Sequence, residues 1–233
     1  MLANEIPLTG ALARWIPDAA LPLLAVDLER GWMLMPDGGL RLREIIRTDH
    51  DLGHWDRILP IYAEAQIALA QHVPQMLSFG TPDRRLSRLP QQYERLIHAV
   101  QALPVDSPEA LAPEEIRCLQ RQTPRLQDLC AELASYPLPA TLHHGDLHDG
   151  NIFLRHGKPF FFDWGDASLT HPFVSLRTVF VSVEISFDLP EDSAVDYPFR
   201  DAYLEPWTRF APFSDLLEAF HLAQRIAPLV SAF

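Results

Sequence analysis

The side chains that could do chemistry are concentrated in two short segments. The first reads LHHGDLHDGNI over residues 142–152, and the second reads FDWGDA over residues 162–167. The amide oxygen of Asn151 and the carboxylate of Asp163 are ligands that a hard cation such as Mg²⁺ prefers, with water and phosphate oxygens completing its shell. Asp146 lies one loop away, where it would accept the proton of an attacking hydroxyl. This combination favours phosphoryl transfer, in which a metal holds the phosphates and a carboxylate orients the nucleophile.

A predicted β-hairpin positions the two metal ligands. Short apolar runs at 152–154 and 160–162 are joined by RHGKP over residues 155–159, which is typical of a tight hairpin buried on both faces. A tight hairpin brings the outer ends of its strands together. We therefore expect Asn151 and Asp163 to lie side by side.

The rest of the chain is predicted to be mostly helical. Apolar residues spaced by three and four, such as Ile58, Tyr62 and Leu69, indicate helices with one buried face. Pro124 is expected to kink or divide the helix that contains it. The predicted elements are a helix at 5–15, a hairpin with strands at 23–26 and 32–35, helices between 40 and 135, and further helices at 173–187 and 216–230.

Composition and charge narrow the class of protein. With 31 Asp and Glu against 19 Lys and Arg, the net charge is −12, which argues against nucleic acids and anionic membranes as main partners. Cys118 and Cys130 are the two cysteines, too few for a disulfide scaffold. No apolar run approaches the roughly 20 residues of a membrane-spanning helix, and the first residues lack the features of a signal peptide. We therefore expect a cytoplasmic protein that acts on a small molecule.

Other chemistries fit these residues less well. A zinc site formed by His143, His144 and His148 is disfavoured, because adjacent histidines point apart in an extended chain and no cysteine lies nearby. A phosphate-binding P-loop is excluded because Asn151-Ile152 stands where Lys-Ser/Thr is required. A metal-dependent hydrolase stays open, since one metal and two acids can also activate water.

The two segments resemble the signature of the aminoglycoside phosphotransferase family, a branch of the protein-kinase-like fold that includes choline and homoserine kinases. The resemblance rests on HGDLHDGNI and on FDWGDA beyond it. It implies that Asp146 is the catalytic aspartate and that His144 belongs to the catalytic loop, which it braces. It also implies that Asn151 and Asp163 bind Mg²⁺, with ATP or GTP as co-substrate.

The N-terminal residues resemble the end of a kinase N-lobe. Glu5 looks like the glutamate of helix αC, and Met35 and Asp37 would belong to the hinge whose backbone holds adenine. The resemblance thus implies an α+β, protein-kinase-like fold. Residues 1–39 would be an N-lobe remnant with αC-like helix, hairpin and hinge, and residues 40–233 a helical C-lobe with catalytic loop and metal site.

The chain departs from such kinases in its N-lobe. They need a glycine-rich loop over the phosphates and a strand lysine paired with the αC glutamate. Lys158 is the single lysine of the sequence, and it lies beyond the predicted metal site. We therefore expect a C-lobe fragment or a degenerate relative with impaired transfer, and a homodimer is one way to supply the missing lobe. The alternative is a non-catalytic, pseudokinase-like binding module.

The acceptor is the least specified part of the prediction. Asp149 and Asp166 could hold a cationic acceptor or be solvated, and Trp164 could contact substrate or pack in the core. Between residues 184 and 205 there are seven acids and one arginine. An acidic lining there would favour an amine-bearing alcohol, whereas a solvated acidic loop would carry no such meaning.

Overall fold

Helices form most of the protein, as the three- and four-residue spacing of apolar side chains predicts. The computed structural model describes residues 4–104, 107, 110–190, 193 and 198–233. In these residues the helices are α1 (Glu5–Trp15), α2 (Leu42–Asp49), α3 (Gly53–Leu69), α4 (Val73–Ser78), α5 (Leu89–Gln101), α6 (Pro113–Leu133), α7 (Leu176–Ser186), α8 (Pro198–Leu204) and α9 (Phe213–Ser231). Short 3₁₀ turns lie at Ala70–His72, Asp149–Asn151, Pro172–Ser175 and Glu205–Arg209.

Three small antiparallel sheets accompany the helices in the described residues. Strands β1 and β2 form an N-terminal hairpin, β3, β5 and β6 form a three-stranded sheet with β5 in its centre, and β4 pairs with β7. The strands are β1 (Ala25–Asp27), β2 (Trp32–Leu34), β3 (Leu40–Arg41), β4 (Thr141–His143), β5 (Ile152–Arg155), β6 (Lys158–Phe161) and β7 (Ser168–Thr170).

The predicted β5–β6 hairpin is present, and its turn has two residues in place of the five expected to join the strands. Arg155 pairs with Lys158, so His156 and Gly157 form the turn, and both have positive φ, 52° and 78°. That geometry is a type I′ turn, whose twist matches that of the flanking strands. The residues of the two predicted apolar runs are buried or half-buried, whereas Arg155 and Lys158 beside the turn are exposed. Their charges stay hydrated at that end of the hairpin.

One hydrophobic core runs through the molecule. The predicted face of α3 is confirmed, since Ile58, Tyr62 and Leu69 are all buried. Leu8 and Leu12 of α1 belong to the same core. The N-terminal residues therefore pack with the helical body, and the division into an N-lobe remnant and a C-lobe stays a prediction.

Pro124 does not divide its helix. Helix α6 continues through Pro124 from Pro113 to Leu133. Proline removes one backbone donor and so leaves the carbonyl of Gln120 without its helical partner. Gln120 lies on the exposed face of α6, where water can bind that carbonyl. None of the described helices is both long enough and apolar enough to cross a membrane.

Candidate active site

The predicted catalytic loop, residues 144–151, begins where β4 ends. His143 of β4 pairs with Ser168 of β7, so the segments at 144–151 and 162–167 leave the same small sheet and pass against each other. Gly145 makes this close passage possible. Its φ is +88°, and a Cβ at this position would lie 2.2 Å from the carbonyl oxygen of Asp166. Only glycine fits both the backbone conformation and the space.

Two neighbouring side chains hold the carboxylate of Asp146. The side-chain amide of Asn151 donates to Oδ2 of Asp146 at 3.1 Å and to its backbone carbonyl at 3.0 Å. Nε2 of His148 lies 3.3 Å from the same Oδ2. Nδ1 of His148 accepts the N–H of Gly150 at 2.9 Å. In the neutral ring Nε2 therefore carries the proton and donates it to Asp146.

This arrangement leaves Asp146 both oriented and accessible. Its side chain is 42% exposed, so an acceptor hydroxyl can reach the carboxylate. A carboxylate in such a place can accept a proton from an attacking hydroxyl. Sequence reasoning considered His148 only as a zinc ligand and missed its contact with Asp146.

His144 connects the catalytic loop to the segment that carries Asp163. Its Nε2 donates to the carbonyl of Phe162 at 2.7 Å, and its Nδ1 accepts the N–H of Asp146 at 3.3 Å. Burial lowers the pKa of His144 to about 4, so the ring is neutral at physiological pH. The ring is fully buried and packs on Trp164, with centroids 4.5 Å apart. His144 is thus a buried residue that positions the two segments and is not accessible to a ligand.

A buried polar network supports the loop from behind. Tyr62 accepts the backbone N–H of His144 at 3.2 Å and donates to Ser175 Oγ at 3.3 Å. Gln66 donates to the carbonyl of Leu142 at 2.8 Å and to Ser175 Oγ at 3.1 Å. Sequence reasoning counted Tyr62 as core and did not single out Gln66 or Ser175. A glutamine on the buried face of α3 was the one available signal.

The register of the β5–β6 hairpin brings Asn151 and Asp163 close together. The N–H of Phe162 donates to the carbonyl of Asn151 at 3.0 Å, so the residues outside the paired strands are neighbours in the backbone. Asp163 is exposed and has a left-handed φ of 62°, a strained conformation for a non-glycine residue. Because the Nδ2 group of Asn151 is used on Asp146, its Oδ1 remains as an acceptor. These two oxygen donors fit Mg²⁺, which keeps several water or phosphate ligands.

The zinc interpretation finds no support in the described residues. Nowhere among them do three His, Cys, Asp or Glu side chains converge on one metal position. His143 is buried with Nδ1 at 2.9 Å from Ser175 Oγ, and His144 is fixed between two loops. Neither ring is available to a metal shared with His148.

The predicted nucleotide-binding residues separate into two groups. Glu5 and Met35 line a narrow cavity together with Asp163 and Trp164. Burial, and then the charge of Asp163, raise the pKa of Glu5, so the two carboxylates are electrostatic neighbours. Asp37 does not line this cavity, and its exposed carboxylate accepts the N–H of Gly39 at 3.0 Å. Its side chain stabilises the turn after β2.

The predicted substrate residues also differ in position. Trp164 is 2% exposed, and its indole N–H donates to the carbonyl of Phe161 at 3.1 Å, which supports packing over contact with substrate. Asp166 is exposed. Asp149 is 2% exposed, and its carboxylate lies 2.7 Å from a guanidinium nitrogen of Arg43. Because that charge is buried and already paired, Asp149 is not free to hold a cationic acceptor.

An open pocket of about 490 Å³ lies beside Asp146. Helices α2 and α7 form its walls, and Asp146, His148 and Asp149 form one end. The lining residues on α2 and just beyond its end recur at helical spacing, as do those on α7. They are Arg43, Ile46, Arg47 and His50 on one side, and Thr178, Val181, Ser182, Ile185 and Ser186 on the other. The stretch predicted to line an acceptor site begins in α7, whereas α2 was not predicted to contribute.

Of the two alternatives for the acidic stretch at 184–205, the described residues do not support an acidic lining of this pocket. From this stretch only Ile185 and Ser186 line the pocket in the described residues. Glu184 is buried on another face of α7. Asp188, Asp201 and Glu205 are described and do not line the pocket either. Glu191, Asp192 and Asp196 lie outside the described residues.

Comparison with known proteins identifies the family. The model described as "Phosphotransferase enzyme family" (APH) matches residues 20–213, a range that contains Asp146, Asn151 and Asp163. Nothing among the curated proteins matches the sequence significantly.

Solved structures with a similar fold include kinases of several small molecules. A choline/ethanolamine kinase family protein from Mesorhizobium loti gives a TM-score of 0.54 at 17% identity, covering 99% of this chain and 72% of that one. A choline kinase from Cryptosporidium parvum gives a TM-score of 0.61 at 12% identity, covering 97% of this chain and 69% of that one.

An antibiotic kinase is also similar. The aminoglycoside phosphotransferase APH(3'')-Id from Streptomyces rimosus, in complex with ADP and streptomycin, gives a TM-score of 0.50 at 18% identity, covering 96% of this chain and 81% of that one. At these identities the likeness establishes the fold, and the predicted α+β, protein-kinase-like architecture is confirmed. The family match over residues 20–213 goes further, and the chain belongs to the phosphotransferase enzyme family.

Proposed function

We propose that this protein transfers the γ-phosphoryl group of ATP or GTP to a hydroxyl of a small molecule in a Mg²⁺-dependent reaction. The observation that carries the proposal is the position of Asp146. Its carboxylate is held by Asn151 and His148 and opens onto a pocket of about 490 Å³. Such a pocket is large enough for a small-molecule acceptor. We also propose that the protein acts in the cytoplasm, where it would meet its nucleotide and its acceptor.

Each residue of the site then has a defined task. Asp146 accepts the proton of the acceptor hydroxyl, and His148 and Asn151 keep its carboxylate in place. Asn151 Oδ1 and Asp163 would hold Mg²⁺, which when bound neutralises charge on the phosphates. His144 keeps the two loops in register. Since positioning and electrostatics supply most of the catalysis in this reaction class, these supporting contacts matter as much as the reacting carboxylate.

A second candidate function, a nucleotide-binding module without chemistry, is favoured by the surroundings of Glu5. In related kinases this glutamate pairs with a strand lysine. Here Glu5 faces Asp163, and the single lysine, Lys158, is exposed and bound to Asp18 at 2.8 Å. Because no lysine pairs with Glu5, we expect this chain to bind nucleotide and to transfer its phosphoryl group slowly or not at all.

The Asp146→Ala variant distinguishes chemistry from binding. Removing the carboxylate should abolish nucleotide-dependent phosphorylation of hydroxyl compounds and leave Mg-nucleotide affinity within about twofold, because Asp146 orients the nucleophile. Asp128→Ala, an exposed aspartate on α6, is the matched control and should change neither quantity. Equal loss of transfer and nucleotide binding in Asp146→Ala would refute the assigned role.

A further inference from the structure

Arg47 is the available cation of the pocket beside Asp146. It lies on α2 one turn after Arg43, lines the pocket and is exposed. Among the described residues it makes no hydrogen bond or ion pair, whereas Nε and a terminal nitrogen of Arg43 lie 2.8 and 2.7 Å from Asp149. The donors of Arg47 therefore remain open to a ligand, while those of Arg43 are largely used.

The negative charges of the pocket are already committed. Asp149 is buried and paired with Arg43. Asp146 is held by His148 and Asn151, and in the proposed function it faces the acceptor hydroxyl. No other acid is found in the described lining of this pocket. A charged group of the ligand beyond that hydroxyl therefore meets the cation of Arg47 and no uncommitted acid of the described lining.

The opposite wall suits a short carbon skeleton. Val181 and Ile185 of α7 and Ile46 of α2 line the pocket, and Ile185 is 76% exposed. The hydroxyls of Ser182 and Ser186 are turned toward Asp149, each at 3.4 Å from its carboxylate. The pocket thus has a carboxylate at one end, an apolar stretch along α7 and a free guanidinium on α2.

We propose that the acceptor is a hydroxyl compound that carries an anionic group, with its hydroxyl at Asp146 and its anion at Arg47. This inference rests on the proposed function and differs from the amine-bearing alcohol that an acidic lining would favour. Guanidinium binds carboxylate or phosphate through two parallel hydrogen bonds. The net charge of −12 disfavours anions over the surface as a whole. Salt screens that repulsion beyond about 8 Å, so the local cation governs binding in the pocket.

Binding of charge-matched probes tests this directly. The probes are γ-hydroxybutyrate, the diol and the amino alcohol of the same carbon chain, together with glycerol and glycerol phosphate, titrated by NMR without nucleotide. We expect the carboxylate or the phosphate probe to bind about tenfold more tightly than its neutral partner, as for a charge-assisted hydrogen bond at a partly exposed site. The two anionic probes distinguish a carboxylate from a phosphate as the recognised group.

Substitutions of Arg47 assign the preference to this residue. Arg47→Glu should remove it, and Arg47→Lys should keep part of it because the charge remains but the two-point geometry is lost. Arg121→Glu, the same charge change on the exposed face of α6, is the control and should leave every affinity unchanged. Equal thermal stability of the three variants excludes unfolding as the cause. A preference for the amino alcohol, no preference at all, or a preference that survives Arg47→Glu would overturn the inference.

A Mg-nucleotide titration of the same samples separates this inference from the proposed function. If nucleotide binds with Mg²⁺ but the anionic probes show no advantage, the acceptor class is wrong and phosphoryl transfer still stands. If nucleotide does not bind at all, an anion preference cannot belong to an acceptor, and both proposals fail.

Discussion

Three buried histidines should make the fold sensitive to mild acid. Burial lowers the pKa of His143 to about 3, that of His144 to about 4 and that of His171 to about 3. The ordinary value in an unfolded chain is about 6.5. Between these values the unfolded chain binds a proton at each site and the native protein does not. Stability from these residues is therefore complete above about pH 6.5 and is lost as the pH falls toward about 4.

The expected loss is large relative to the stability of a domain. Each site changes the free energy of unfolding by about 1.4 kcal/mol per pH unit in this window. For the three sites together the slope is about 4 kcal/mol per pH unit between about pH 5 and pH 6. Since domains are stable by about 5–15 kcal/mol in total, much of the stability should be gone near pH 5.

Urea unfolding at a series of pH values measures this slope. His171 offers the cleanest perturbation, because its Nδ1 accepts the N–H of Phe173 at 3.3 Å while its Nε2 is buried without a hydrogen-bond partner. Asparagine can keep the first contact and removes the titrating ring. His171→Asn should therefore lower the slope by about one third, and His98→Asn on the exposed face of α5 should leave it unchanged.

Two results would refute the reasoning. A wild-type slope of about 1.4 kcal/mol per pH unit or less would mean that at most one of these histidines stays neutral in the fold. An unchanged slope in His171→Asn would mean that His171 is protonated in the native protein.

Two further predictions concern the catalytic loop. His148→Ala should lower transfer by about tenfold to a hundredfold, the value of a hydrogen bond to a charged group, and leave Mg-nucleotide affinity unchanged. The exposed control His156→Ala should change neither transfer nor nucleotide affinity. A parallel loss of nucleotide affinity in His148→Ala would show that the whole loop is disrupted. Gly145→Ala should lower the melting temperature much more than Gly157→Ala, because both have positive φ but only Gly145 has a backbone oxygen 2.2 Å from the new Cβ. Gly157→Ala should cost about 1 kcal/mol, or roughly 2–4 °C, and equal losses in a thermal melt would contradict the close approach of the two loops.

Local patterns were sufficient to predict the framework of the site. The turn at His156-Gly157 fixes the β5–β6 register, and that register alone makes Asn151 and the segment at Asp163 neighbours. The helix at Glu5–Trp15 was predicted with Pro7 in its first turn, and the buried face of α3 followed from apolar spacing. Such features depend on residues close in sequence, which a single sequence displays.

The parts that could not be predicted depend on contacts between distant segments. Asp149 is paired with Arg43, which is more than one hundred residues earlier in the chain. Helices α2 and α7 meet at the pocket although nothing in either marks the other as its neighbour. The charge of a side chain is visible in sequence, but its partner is not. That is why Asp149 was considered as a ligand for a cationic acceptor and why Arg47 was missed.

Nucleotide binding is the most direct test of the central claim. Calorimetric titration with ATP and with GTP, each with and without Mg²⁺, should show binding that requires the metal. In Asp163→Ala, Mg²⁺ should no longer increase nucleotide affinity, because Asp163 is an exposed oxygen donor at the end of the hairpin. The control Asp128→Ala should behave as the wild type. Metal-dependent binding that is lost with Asp163 would support a phosphotransferase site. No binding, or binding with the same Mg²⁺ dependence in Asp163→Ala, would contradict it.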